Sequence, residues 1–431
     1  MATARLDDAP LTTAPDPDLP ATPTDFAYWE TVRSPGFQKA RARIKRLLRF
    51  DPVLPDEVAQ DYIQEMWKGD PVAEKFVDET VFGELGPRKT RKLIDQALEQ
   101  GIDNVPDAPE SMRALFAEFE TVPDWVNPEL VEEGAKIWRR WGTDLFAVAG
   151  LSTLEIYTES AVALPLSLTG GYAGDNALRR FLETGKFWVD VSEPGALLTP
   201  YSQARKTAMR VRIMHVSVRR RVSEHPEWDA ERWGTPISQL YMLLTLMGGS
   251  VAPALFLWGA GYQTSPKEME ALLHYQRYMG YLLGVRTERY PETVSEAFKL
   301  VGMTALARTY TSGDHGKELI ESFPKALSER QPHGLREKLR HEYERHLYNG
   351  YLALFMQPAT RKRYDMPPVF PSILLMAARA PIVGAGEIAR RLIPGADGYL
   401  VRQADRRRKA WLANQLKGRE AEFQAASALR R

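Results

Sequence analysis

The sequence predicts an all-α protein, a single globular helical domain, and three stretches carry that reading. Residues 205–222, RKTAMRVRIMHVSVRRRV, run through good helix formers without Gly or Pro. Between residues 26 and 120, short amphipathic segments (36–48, 56–66 and 90–100) are punctuated by Pro and Gly. Residues 240–262 lie in the longest uncharged span, between Arg232 and Lys267. That stretch is long enough to cross a bilayer. Its Gly248, Gly249, Pro253, Gly259 and Gly261 instead favour two buried helices, breaking near Gly248 and lining an apolar cavity.

Composition narrows the chemistry. A chain of 431 residues can bury a large core, in one or two domains. Lys plus Arg number 57 against 56 Asp plus Glu, so bulk charge makes no case for nucleic acid, and no nucleic-acid partner is expected. The chain has no cysteine, which excludes disulfides, thiolate haem ligation, zinc fingers and iron–sulfur clusters. Residues 1–25 lack the basic and apolar regions of a signal peptide, and their Pro, Asp, Ala and Thr content suits a disordered leader. The expected location is cytoplasmic. The chain then divides into a helical section at 26–122, a core at 123–300, a second helical section at 301–387 and a basic tail at 388–431.

Taken in order, residues 122–127 form a turn into a helix at 128–142, whose Trp138 and Trp141 are expected in the core. Residues 145–168 are largely apolar yet hold Glu155 and Glu159, and a carboxylate in such a run either reaches a surface or serves a site. The GGYAG turn at 170–174 is too irregular for a phosphate loop. Arg180, Glu183 and Thr184 share a helix face, which is either an ordinary surface with an Arg–Glu pair or part of a site. Residues 267–284 form an amphipathic helix containing His274. The tail carries eleven Lys or Arg against four Asp or Glu. Its helix, 400–423, sets Leu400, Trp411, Leu412 and Leu416 near a basic cluster at 406–409. It either makes peripheral contact with an anionic membrane or packs on its own domain.

One residue stands apart. His215 sits among Ile213, Met214, Val216 and Val218, with Arg212 three residues before it and Arg219 four after, all on one face. A neutral imidazole in an apolar pocket is a good ligand for iron, zinc or copper. Flanking guanidiniums call for anionic partners. A haem would meet both needs, through its iron and its propionates; the competing reading is a core histidine beside a solvated basic face. Histidines 315, 333, 341 and 346 lie in charged surroundings, His225 lies in a polar loop, and no H-E-x-x-H spacing exists.

The segment from Arg179 to Val222, with WGTPISQ at 233–239 and the run through Val285, resembles the catalytic domain of latex-clearing proteins (rubber oxygenases) and MpaB-type oxygenases. The resemblance spans roughly residues 123–285, with Ser238 where the family pattern has Asn. It implies a helical fold around a buried b-type haem, with His215 as proximal ligand and the opposite side open for dioxygen. Arg212 and Arg219 would hold the propionates or orient the ligand helix, and Arg180 and Thr184 would line the distal side. Glu155 and Glu159 are both candidates for the catalytic base. Glu183 stands where the family's iron-capping lysine is found, so that cap should be missing here. The implied function is a haem b-dependent oxygenase that uses dioxygen on a hydrophobic, isoprenoid or other olefinic, small molecule. The alternative is a non-catalytic helical protein that takes a lipid or a partner helix into the same apolar cavity.

Overall fold

The computed structural model describes residues 21–170, 176–328 and 334–416. The leader up to residue 20, most of the 170–174 turn, His333 and the last residues of the tail helix lie outside them. Every regular element among the described residues is a helix.

Local sequence explains where the helices that matter begin and end. The His215 helix spans Gln203–Ser223, and the Ser202 hydroxyl accepts from the Arg205 N–H at its start. Pro128–Trp141 starts with Pro at its first position and Asn127 as cap, and it stops at Gly142, whose φ of +57° favours glycine. Pro266–Leu282 opens with a capping box of Ser265 and Glu268. The long apolar run at 145–168 is two helices, Thr143–Ile156 and Ser160–Leu168, with both candidate glutamates at the junction. The uncharged run divides as expected into Gln239–Met247 and Val251–Trp258, and most of it is buried.

Packing then assembles the centre. Pro128–Trp141 lies against Pro266–Leu282, closely enough that a side chain at Gly134 would come within 2.6 Å of the Ala271 carbonyl. Trp138 and Trp141 are each about 1% exposed, as core residues. The Asn176–Val191 and Gln203–Ser223 helices pack on each other.

The segment WGTPISQ proves to be a tie between distant parts of the chain. Gln239 donates to the carbonyls of Gly69 and Gly284 at 2.8 and 2.9 Å and accepts from the Arg286 N–H at 2.8 Å. Ser238 caps the following helix.

The tail helix, Ala396–Leu416, takes the second of its two readings over the described residues and packs on its own domain. Trp411 and Leu412 are 8% and 3% exposed, because the helix packs against Pro128–Trp141 and Asn176–Val191. Arg408 is fully buried and bonds to Asp405 and Ser192. Of the apolar residues named for membrane contact, Trp411 and Leu412 are covered by the protein, while Leu400 and Leu416 are half-buried.

Candidate active site

The helices form a large cavity of about 1050 Å³, just above the roughly 300–1,000 Å³ usual for ligand sites. His215, Arg180, Glu183, Thr184, Glu155 and Glu159, which are scattered over sixty residues of sequence, all border it. Most of the remaining wall is apolar, including Trp138 and Phe187, with Met242 and Phe256 from the two halves of the uncharged run.

His215 faces this space with Val211, Met214 and Val218. The ring is shut off from bulk solvent, and what surface it keeps is toward the cavity. Neither nitrogen has a hydrogen-bond partner among the described residues, and Nδ1 is fully buried. Burial, helped by the Arg219 guanidinium, lowers its pKa from 6.5 to about 4. The imidazole is therefore neutral near pH 7, with a lone pair free to bind a metal.

These features fit a haem. Nδ1 is buried without a partner, at a cost of about 1–3 kcal/mol, and Nε2, which keeps accessible surface and has no hydrogen bond among the described residues, is the atom left for a metal. Among the described residues, no group of three or more His, Cys, Asp or Glu could hold a bare metal ion. A metal at His215 must bring its other ligands with it, as the iron of a porphyrin does.

Of the two roles expected of Arg212 and Arg219, the geometry favours orienting the ligand helix. Neither borders the cavity. Arg212 donates to both oxygens of Asp70, at 2.7 and 2.9 Å, and to Glu118 at 2.6 Å. Arg219 donates to Glu74 at 3.0 Å and to the carbonyls of Pro236 and Ile237 at 3.0 and 2.6 Å. The anions that these guanidiniums required are carboxylates of the N-terminal section. These bonds anchor the histidine helix to the N-terminal section.

Gly284 sits in the same knot, at a φ of +80°. A methyl group there would collide with Asp70 Oδ2 and lie 2.7 Å from Arg212 Nε. Gly284→Ala is therefore expected to destabilise the protein by at least about 2 kcal/mol, through overpacking and backbone strain. Urea unfolding of the apoprotein measures it, and an unchanged midpoint would show that the pair is not rigidly held.

Elsewhere on the cavity wall, Arg180 Nη1 and Glu183 Oε2 form a 3.0 Å ion pair. Thr184 donates to the Arg180 carbonyl one turn back. The face is thus both an Arg–Glu pair and part of the cavity.

The two candidate bases differ in how far they are already engaged. Glu159 accepts from Thr158 Oγ1, the Thr309 N–H and hydroxyl, and the Tyr310 N–H, so it braces the 309–310 loop. Glu155 uses Oε1 to accept from Arg308 at 2.5 Å and Thr360 at 2.7 Å, while Oε2 is buried with no side-chain partner and the Gln357 backbone N–H also favours the charged form. Burial raises the Glu155 pKa above the usual 4.5, against the opposing pull of Arg308.

Several of these partners were hidden from sequence reasoning. Asp70 precedes Pro71 and caps the Pro71–Thr80 helix through Ala73, a recognisable start signal. Nothing in its spacing ties it to Arg212, 142 residues later. Arg308, Thr360 and Arg361 reach the site from beyond residue 300 and carry no local signature. Arg361 borders the cavity with Nη1 unpartnered; its one bond runs to the Pro367 carbonyl.

Comparison with known proteins agrees with this layout. The family model described as ER-bound oxygenase mpaB/B'/Rubber oxygenase, catalytic domain, matches residues 138–382. A rubber oxygenase of Streptomyces sp. is 26% identical over 206 residues, which is 46% of this chain. The match covers 47% of that protein, so the chain spans about half the length of this curated relative. A solved latex clearing protein, LCP, in its closed state aligns with a TM-score of 0.56, covering 83% of this chain and 92% of that one. At 18% identity this likeness concerns the fold alone.

Proposed function

This chain belongs to the MpaB and rubber oxygenase catalytic-domain family, and on that footing we propose that it is a haem b-dependent oxygenase acting on a hydrophobic, isoprenoid-like olefin with dioxygen. The observation that carries the reading is a neutral, unpartnered His215 on an apolar cavity that also gathers Arg180, Thr184 and Glu155. A haem bound there supplies the redox-active iron that lets dioxygen react with a carbon–carbon double bond.

The remaining roles belong to the chain. His215 holds the iron, and the buried Arg212–Asp70 and Arg219–Glu74 pairs fix the helix that presents it. Arg361 is the cavity-lining arginine with no carboxylate partner among the described residues, and it is the cation assigned to the haem carboxylates. Arg180 and Thr184 give the cavity wall polar groups, and Glu183 is tied to Arg180 rather than free to bind iron. The apolar walls exclude water and match an olefin. Glu155 is the base, because burial raises its proton affinity and its Oε2 carries no side-chain hydrogen bond, whereas both oxygens of Glu159 are engaged. It would take the proton from a carbon next to the double bond, and its raised pKa helps it hold that proton.

Glu155→Gln tests the assignment. It is expected to lower turnover by about 10²–10⁴-fold, with haem content unchanged. Dioxygen uptake with squalene as olefin probe measures the loss, and a variant as fast as wild type would remove Glu155 as base. Because a base must be ionised, wild-type turnover should fall on acidification with a midpoint above the ordinary glutamate value of 4.5. Glu159→Gln is expected to act mainly on stability, by loosening the 309–310 loop.

A further inference from the structure

The helix Ser372–Leu392 has its polarity turned inside out. It is apolar enough to cross a membrane, with a mean hydropathy of 1.4, yet only 17% of that stretch is buried. Three of its four charges point inward, and the fourth, Arg391, is exposed at its C-terminal end beside Gln263. Arg379 pairs with Asp144 at 2.9 Å, the buried Glu387 meets Arg140 and Arg390, and Arg390 also reaches Glu268 at 2.9 Å. Its outer face carries Leu374, Ile382, Ile388 and Leu392 at 55%, 74%, 51% and 75% exposure, with no charged residue between them on that face. A surface helix in water normally shows the reverse arrangement. The stripe from 374 to 392 is about 27 Å long at 1.5 Å per residue.

Three neighbouring features say what covers it. First, the inward ion pairs hold the helix to the body of the protein, so it can lie on an apolar phase but could span one only by breaking them. Second, Phe370, 66% exposed, leads into the stripe, and its neighbour Val369 is both exposed and part of the cavity wall. The cavity therefore reaches the surface at the end of the stripe. Third, Lys362 and Arg363 are exposed beside that mouth with no carboxylate partner among the described residues, although Arg363 lies 5.4 Å from the Tyr310 ring. Nearby, Trp258 is 53% exposed on a segment held to this helix by the Arg391–Gln263 bond, and an amphipathic indole suits a lipid–water boundary.

We propose that the Ser372–Leu392 face seats the protein on an anionic lipid surface, with the cavity mouth at Val369 turned toward the lipid. Lys362 and Arg363 meet the headgroups, while Leu374, Ile382, Ile388 and Leu392 enter the boundary of the acyl chains. A substrate dissolved in the membrane then enters without crossing water. The attachment depends on the surface alone and holds whether or not the cavity carries a haem.

Flotation of the full chain with vesicles of phosphatidylcholine containing phosphatidylserine tests this. Wild type should float, and less of it should float with phosphatidylcholine alone or in high salt. Ile382→Asp combined with Ile388→Asp should lower partitioning by about tenfold or more, since two apolar anchors are lost. Lys362→Glu with Arg363→Glu should weaken binding to anionic vesicles only. Both double variants change exposed positions, so their melting curves and hemin uptake should match wild type, which keeps a haem defect distinguishable from a membrane defect. Three results would overturn the proposal: wild type that stays with the unbound protein, equal flotation of the apolar double variant, or a wild-type dimer that this variant turns into a monomer. Loss of flotation on truncation after Leu416, with the stripe variants unaffected, would move the contact to the tail and overturn it as well.

Discussion

His215→Ala is expected to give a folded protein that no longer retains haem. The imidazole is the one histidine on the cavity among the described residues, and the cavity wall holds no cluster of ligands to replace it. Hemin titration of the variant should show only weak, non-saturating association, and transfer to apomyoglobin should be rapid. Stoichiometric binding with an unchanged spectrum would remove His215 as ligand.

The same variant reports on the apoprotein. Because the folded-state pKa of His215 is lowered from 6.5 to about 4, the unfolded chain takes up a proton that the folded chain refuses in that interval. The residue has no effect on stability above about pH 6.5. Its penalty grows as the pH falls and levels off below about pH 4, at roughly 3 kcal/mol. Apo His215→Ala should lack this part of the acid destabilisation, and identical pH profiles for the two apoproteins would show that the ring is not buried as described.

Arg212→Ala is expected to act on the fold before any cofactor is present. It strips the buried Asp70 of a two-point partner and removes the bond to Glu118. Breaking a buried pair from one side costs about 3–5 kcal/mol, much of it from the charge left behind. Urea unfolding of the apoprotein should show the whole loss. Asp70→Asn should reproduce part of it, since the amide keeps the shape and one acceptor. If Arg212→Ala left the apoprotein as stable as wild type and only weakened hemin retention, the arginine would face the cofactor after all.

That contrast shows how far the sequence could be read. Helix periods, caps and glycine breaks place the Gln203–Ser223 helix and the division at Gly248 almost to the residue, because those signals are local. His215, Arg180, Thr184 and the two glutamates were found from chemistry in an apolar context together with a family resemblance. The cavity brings all of them together. What local pattern could not show is which anion answers a buried cation. Arg212 and Arg219 called for negative charge, and a haem and a distant Asp70 or Glu74 satisfy that call equally well on paper. Nor could spacing rank Glu155 against Glu159, since the ranking rests on Thr309, Thr360 and Arg308 arriving from far along the chain. The tail helix was left open for a related reason: whether an apolar side has a partner inside the protein is not local, and Trp411 and Leu412 have one, whereas Ser372–Leu392 shows its apolar side to solvent.

The central claim is that this cavity is a haem site and not a store for lipid. Hemin titration of the wild-type apoprotein, followed by absorption, tests it most directly. The account predicts saturation at one haem per chain with a strong Soret band, and a ferric form that takes up cyanide without first losing a protein ligand, because Glu183 is held by Arg180. A protein that stays colourless, gives no saturable Soret change and fills the cavity with a fluorescent fatty acid would contradict it.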